Sequence, residues 1–203
     1  MVEQRSRIIG RKSRVRCLMS EQESLLSRLR MGAVVAYPTE GVWGLGCDPH
    51  DEQAVHRILT IKQRSVQAGL ILLASNVEQL SPYLQGLSVE LVAELRKEES
   101  GPVTFLIPDN GYCPSWIRGQ HESVAVRVTN HPTVAAITAA LGGPIVSTSA
   151  NRHGEPTLSS AEAIRQSLGD QIDGIVGGEL GGAAGASEIR DLKTGQIIRE
   201  GGK

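Results

Sequence analysis

The sequence predicts an α/β protein in which helices pack on the faces of a sheet. Short runs rich in Val, Ile and Leu alternate along the chain with segments of helical periodicity, and this alternation is typical of that class. Aromatic residues make up only 3% of the chain, so the core must be built from aliphatic side chains. A chain of 203 residues is long enough to bury a sizeable core within one domain.

The first half of the chain carries signals of helices and strands in turn. Residues 20–23 read Ser-Glu-Gln-Glu, the form of a capping box, and the leucine stripe that follows ends at Gly32. The spacing of Val55, Ile58 and Leu59 predicts a second helix. In chain order the predicted elements are a helix up to residue 31, a strand over 33–37, a glycine-rich segment over 41–47, a helix over 51–62, a strand over 69–74 and helical residues 77–95 with a break near Pro82.

The second half continues the alternation. Pro102 and Pro108 bound one strand, and Ser159 or Ser160 provides the N-cap of the last helix. In chain order the predicted elements are strands over 103–107 and 123–128, a helix over 131–141, a strand over 144–147, a helix over 159–168, a strand over 174–177 and a closing hairpin of residues 187–192 and 196–199 around Thr194 and Gly195.

Charge divides the chain into two regions. Residues 1–18 contain six basic residues and one acid, and we expect them to be a basic N-terminal tail, either disordered or an extension upstream of a natural start at Met19. A transit peptide or an arm that touches RNA is the less favoured alternative. The expected catalytic domain, residues 19–203, is net −6, a poor footprint for non-specific nucleic-acid binding.

Cysteine usage and hydropathy indicate the compartment. The three cysteines lie far apart with no Cys-x-x-Cys or zinc-type spacing, as expected in a reducing cytosol. No run of 18 apolar residues occurs, and the basic N-terminus lacks the apolar stretch of a secretory signal. We therefore expect a cytoplasmic protein with no membrane association.

A cluster of hydroxyl and amide side chains follows the apolar run that ends at Val146. Ser147, Thr148, Ser149 and Asn151 supply several hydrogen-bond donors and acceptors within five residues. A strand that delivers them to a cleft would suit a ligand with many oxygens. The alternative is a helix N-cap, for which Ser and Asn are also preferred.

Lys62 and Arg64 lie at the predicted end of the second helix. There both side chains can converge on one anion, and a compact charge beside a bidentate fork suits a polyphosphate. The alternative is a solvated helix C-terminus, where cations are favoured by the helix dipole. No phosphate-binding loop of the form GxxxxGK[ST] and no GxGxxG after a strand occurs, so any nucleotide is bound differently.

Arg127 interrupts an apolar strand and shares a face with Ser123 and Ala125. A charge at such a position is costly unless it is paired. It would suit a carboxylate ligand, and the alternative is a pair with a buried Asp or Glu. Thr39 and Glu40 follow the first strand, where Thr39 offers a hydroxyl and Glu40 could cap a turn or orient a basic group.

Six motifs follow one another along the chain: Tyr37-Pro38-Thr39-Glu40, Lys62-Gln63-Arg64, Gly101-Pro102-Val103-Thr104, Ser123-Val124-Ala125-Val126-Arg127, Ser147-Thr148-Ser149-Ala150-Asn151 and Ser187-Glu188-Ile189-Arg190-Asp191. In order and spacing they resemble the YrdC/TsaC family of threonylcarbamoyl-AMP synthases over roughly residues 21–201. We expect the short bacterial form. The chain departs from the family pattern at Gly41, at Ser65 and over residues 66–69.

The resemblance implies a single twisted mixed sheet with a deep, positively charged cleft. It implies that a tetrad of Lys62, Arg64, Ser149 and Asn151 binds the ATP phosphates and is catalytic. Further nucleotide contacts are implied for Ser123, Ser147 and Arg199, and threonine contacts for Thr39, Arg127 and Ser187.

The implied reaction is that of a nucleotidyltransferase acting in tRNA processing. L-threonine, bicarbonate or CO2, and ATP with Mg2+ give threonylcarbamoyl-adenylate and pyrophosphate. The implied partner is a tRNA threonylcarbamoyl-transferase complex, with a weak tRNA contact as a further possibility. No protein side chain is assigned to the metal.

Two other functions are compatible with part of the sequence. One is a non-catalytic RNA-binding module, which the basic tail favours and the acidic balance of residues 19–203 opposes. The other is a regulatory domain that binds a nucleotide without reaction, which the intact set of Lys62, Arg64, Ser149 and Asn151 disfavours.

Overall fold

A computed structural model describes residues 21–97, 102–152 and 154–202. The tail expected over 1–18, the start at Met19 and the capping serine at position 20 lie outside these residues.

One mixed sheet of nine strands runs through the molecule, which confirms the predicted fold class. The strands are β1 (Val35–Pro38), β2 (Trp43–Gly46), β3 (Ile71–Ala74), β4 (Val103–Pro108), β5 (Ser123–Val128), β6 (Ile145–Ser149), β7 (Gly174–Ile175), β8 (Glu188–Asp191) and β9 (Ile197–Arg199). Their order across the sheet is β7-β1-β2-β6-β3-β5-β4-β8-β9. Parallel pairs join β1 to β7, β3 to β5 and β4 to β8, whereas the other neighbours are antiparallel.

Helices cover both faces of the sheet. They are α1 (residues 21–28), α2 (Glu52–Lys62), α3 (Val89–Glu94), α4 (Ser115–Arg118), α5 (Pro132–Leu141) and α6 (Ala161–Leu168). Helices α1 and α5 pack on one face, where Leu29 and Ile137 are buried against Tyr37. Helices α2, α4 and α6 pack on the larger core of the other face. Within the described ranges, no helix is both long enough and apolar enough to cross a membrane.

Side-chain caps begin two of the predicted helices, and the N-cap expected at Ser159 or Ser160 is Ser160. Asp51 accepts from the Ala54 amide at 2.9 Å to begin α2, and Ser160 accepts from the Ala163 amide at 3.1 Å to begin α6. These side chains satisfy amide groups that a helix start leaves without an intrahelical partner. Since β6 extends through Ser149 and α6 begins only after Ser160, the N-cap alternative for residues 147–151 is wrong.

The sequence failed to predict strand β2. A glycine-rich segment was expected over 41–47, yet Trp43–Gly46 pairs with both β1 and β6. Glycine is required there because a Cβ atom on Gly46 would lie 2.2 Å from the backbone oxygen of Val146. The short helix α4 was not predicted either, and the helical residues expected over 77–95 divide into a 3-10 segment (Val77–Leu80) and α3.

Candidate functional site

A cleft of about 300 Å³ opens along the sheet, between the β1–β2 turn, the end of α4 and the β8–β9 hairpin. Eight of the ten predicted site residues line it: Thr39, Arg64, Ser123, Arg127, Ser147, Ser149, Ser187 and Arg199. The other two, Lys62 and Asn151, contact Ser149 directly. The fold therefore brings together side chains that are up to 160 residues apart in the numbering of the chain (Thr39 to Arg199).

Lys62 donates several hydrogen bonds at one end of the cleft. Its ammonium donates to the backbone oxygens of Ser149 at 2.6 Å and Asn151 at 2.9 Å, and to the Asn151 Oδ1 at 3.1 Å. The Ser149 hydroxyl donates to the same Oδ1 at 2.5 Å. Only 4% of Lys62 is exposed. One buried charge thus contacts both Ser149 and Asn151.

Burial, with a smaller contribution from the charge of Arg64, lowers the pKa of Lys62 to about 8. A lysine in water titrates near 10.4. The ammonium is therefore close to losing its proton just above neutral pH.

Arg64 leaves the end of α2 through a left-handed turn at Gln63, where φ is 51°. Its guanidinium donates to the backbone oxygens of Ala68 at 3.1 Å and Gly69 at 2.9 Å. The Nε atom is buried and finds no hydrogen-bond partner among the described residues. Burial and the nearby charge of Arg199 lower the pKa of Arg64. Two guanidinium groups and an ammonium therefore meet at this end of the cleft, as an anion site requires.

Arg127 lies on β5 with Ser123 and Ala125 facing the same cleft, as predicted. Its guanidinium is paired with the carboxylate of Glu40, so the alternative of a buried ion pair holds. The Nε atom of Arg127 is also buried without a partner in the described part of the chain. Arg127 consequently has a counterion and still keeps donor capacity in the cleft.

Two buried hydroxyls also line the cleft. Thr39 donates to the backbone oxygen of Val42 at 2.7 Å, and the Ser187 hydroxyl lies 2.7 Å from that of Thr104. Arg199 donates to the Ser187 backbone oxygen at 2.7 Å, which joins β9 to the residue that precedes β8.

Sequence reasoning missed two residues that line the cleft: Arg118, the last residue of α4, and His121, which follows that helix. Their place follows from a close contact of two loops: a Cβ atom on Gly119 would lie 2.5 Å from the backbone oxygen of Gln67. No local sequence pattern predicts this contact. Apolar side chains complete the wall nearby: Ile71, Leu106, Ile117, Ala125, Ile189 and Ile198. An apolar wall beside cationic groups fits a ligand with one planar and one anionic part.

The described residues contain no group of three or more His, Cys, Asp or Glu side chains that could hold a metal ion. Glu40, the carboxylate at Arg127, is engaged by that ion pair. The hydroxyls of Ser147 and Ser149 line the cleft and could contact a hydrated ion that is bound mainly by phosphate oxygens. The donor set fits Mg2+ that arrives with a nucleotide, and does not form a protein cage for it.

A family model and similar proteins of known name indicate the same family. The family model Sua5_yciO_yrdC, with the description "Telomere recombination", matches residues 27–201. A relative from Chromohalobacter salexigens named threonylcarbamoyl-AMP synthase is 49% identical over 174 residues, which cover 86% of this chain and 94% of the relative. A relative of the same name from Vibrio parahaemolyticus is 45% identical over 185 residues, which cover 90% of this chain and all of the relative.

A solved structure shares the fold. The crystal structure of P. abyssi Sua5 complexed with L-threonine superposes with a TM-score of 0.78 at 30% identity, covering 87% of this chain. The match spans 52% of that Sua5 chain.

Proposed function

Because the chain belongs to the Sua5/YciO/YrdC family, we infer that it is a threonylcarbamoyl-AMP synthase, a nucleotidyltransferase of tRNA modification. The observation that carries this function is the set of side chains that one cleft brings together. Arg64 and Ser149, which Lys62 contacts, line it together with Arg127, Thr39 and Ser187. ATP and L-threonine are substrates that need adjoining sites in one cleft.

The ATP phosphates bind at the end formed by Lys62 and Arg64. The Arg64 guanidinium lines the cleft, and its N–H groups are suited to phosphate oxygens. Asn151 keeps the Ser149 hydroxyl and the Lys62 ammonium in place through its Oδ1. Arg199, Ser147 and Ser123 line the same cleft and make the further contacts with the nucleotide.

Threonine binds beside Arg127. The guanidinium takes the α-carboxylate through donors that Glu40 leaves available, since an arginine offers five N–H groups. The hydroxyls of Thr39 and Ser187 line the same cleft and contact the amino acid. Threonine as the substrate is supported by the Sua5 structure of the same fold, which was solved with L-threonine bound.

The chemistry needs alignment and charge stabilisation more than a protein nucleophile. The threonine amine attacks CO2 and loses a proton to form a carbamate, or reacts with bicarbonate with loss of water, and a carbamate oxygen then attacks the α-phosphorus. The bond between the α- and β-phosphates then breaks and pyrophosphate leaves. Negative charge gathers in both steps, and fixed cationic donors such as Lys62 and Arg64 stabilise it. Mg2+ bound with ATP neutralises phosphate charge in addition.

The product is proposed to pass to a tRNA threonylcarbamoyl-transferase complex in the cytoplasm. Carbamates hydrolyse readily, so a cleft with buried walls protects the intermediate from water. The catalytic hypothesis is favoured over a non-catalytic RNA-binding module. The side chains of Lys62 and Arg64 point inward and donate to backbone oxygens of Ser149 and Gly69, rather than forming a basic outer surface.

A pyrophosphate assay tests this function. Release of pyrophosphate from ATP is expected only when L-threonine and bicarbonate are both present. Equal release without threonine, or none with the complete mixture, would overturn the assignment.

A further inference from the structure

Residues 177–186 form a glycine-rich strap between β7 and β8 that crosses the turn after β1. The Gly181 amide donates to the backbone oxygen of Thr39 at 3.1 Å, and the Ala183 amide donates to that of Glu40 at 2.8 Å. The strap therefore fixes the backbone of Glu40.

No side chain fits between the strap and this turn. A Cβ atom on Gly41 would lie 2.0 Å from the backbone oxygen of Gly185, and one on Gly181 would lie 2.9 Å from the Cα of Glu40. Such distances are far inside van der Waals contact. Glycine at position 41 is what permits the close approach.

The Glu40 carboxylate is engaged on both oxygens. One accepts from the Arg127 guanidinium and the other from the Thr129 hydroxyl. Burial acts to raise the pKa of Glu40, but the Arg127 charge and the hydrogen bonds together outweigh it and lower that pKa. The carboxylate is thus ionised at neutral pH and serves as the counterion of a buried arginine.

We propose that Glu40 is a positioning residue for threonine: held by the strap, it orients the Arg127 guanidinium toward the substrate carboxylate. The proposal rests on the function inferred above. Arg127 is 7% exposed and has an unpartnered Nε within the described region. Without Glu40 the guanidinium would lose its counterion and its fixed direction. Threonine binding would then weaken, whereas ATP binding would not.

The test separates the two substrates. Initial rates of pyrophosphate release are measured for Glu40→Ala and Glu40→Gln, varying threonine at saturating ATP and the reverse. Glu40→Ala is expected to raise the threonine KM by at least about tenfold, as for loss of a charged hydrogen-bond partner, with the ATP KM within about twofold. Glu40→Gln keeps an acceptor for Arg127 and should lie between Glu40→Ala and the unmodified protein.

The control is Glu179→Gln, which removes the same charge from an exposed position of the strap and should leave both KM values unchanged. If Glu40→Ala does not fold, Thr129→Val removes one hydrogen bond from Glu40 and should raise the threonine KM by about two- to tenfold.

Two failures are distinguishable. Absence of threonine-dependent pyrophosphate release by the unmodified chain overturns the inferred function itself. An active unmodified chain whose Glu40 variants keep the threonine KM, or lose both substrates equally, overturns only the positioning role.

Discussion

Lys62, the last residue of α2, donates from its ammonium to the backbone oxygen of Ser149 at 2.6 Å. This contact joins the end of a helix to the end of strand β6 across 87 residues of sequence. A solvated helix end was the alternative for Lys62, and the 4% exposure of the residue rules it out. The Lys62 side chain therefore adds to the contacts that hold the Ser149–Asn151 segment beside β2.

Replacing Lys62 should abolish most of the activity. Lys62→Ala removes a cation from the phosphate end, together with its hydrogen bonds to the backbone oxygens of Ser149 and Asn151. Removal of a preorganised donor of this kind costs about 100- to 1,000-fold in kcat. The measurement is the rate of pyrophosphate release, with Lys97→Ala, an exposed lysine paired with Glu94, as the matched control. A rate within a few-fold of the unmodified protein would contradict this role.

Arg64 should act on ATP more than on threonine. Arg64→Ala is expected to raise the ATP KM by about 10- to 100-fold, the range for hydrogen bonds to charged groups. The threonine KM should change much less. Arg165→Ala, which removes an exposed arginine paired with Glu162, should change neither. An equal rise for both substrates would remove Arg64 from the phosphate site.

ATP affinity should fall as the pH rises through about 8, because burial lowers the pKa of Lys62 to about 8. Below that pH the ammonium is charged and attracts phosphate, and above it the amine is neutral. Direct measurement of ATP binding, without threonine, between about pH 7 and about pH 9 avoids titration of the substrate amine. Lys62→Arg keeps its charge over this range and should give a flat profile. Unchanged or rising affinity in the unmodified protein would contradict the assignment.

Gly46→Ala should destabilise the sheet. The added methyl group would lie 2.2 Å from the backbone oxygen of Val146 and 2.9 Å from the Ile145 side chain. Overpacking of this kind lowers the free energy of unfolding by about 1–3 kcal/mol. Urea denaturation measures the change, with Gly143→Ala as control because a Cβ atom there meets nothing within 4 Å. Equal stability of both variants would mean that β2 and β6 are packed less closely than described.

Local signals explain which elements could be predicted. Helix α2 could be predicted from the spacing of its apolar residues, and helix α6 from the serine at its N-cap. Strand β2 could not be predicted, since glycine is depleted in strands and two of its four residues are Gly44 and Gly46. Those glycines are needed because Tyr37 and Val146 approach from the neighbouring strands, a tertiary condition that no local pattern contains.

The candidate site shows the same division. The Ser-rich end of β6 and the lysine–arginine pair stand out as residue types, but that Lys62 reaches Ser149 depends on the packing of α2 against the sheet. The resemblance to the family had already implied that Lys62 and Ser149 belong to one site. Arg118 and His121 escaped notice because loop contact at Gly69 and Gly119, rather than any motif, brings them to the cleft.

The most direct test of the central claim is detection of the product itself. The chain is incubated with ATP, L-threonine and isotopically labelled bicarbonate, and the adenylates formed are identified by mass spectrometry. Threonylcarbamoyl-adenylate that carries the label is expected, together with an equal amount of pyrophosphate, and neither should form when threonine is omitted. Pyrophosphate without a labelled threonylcarbamoyl-adenylate would contradict the account.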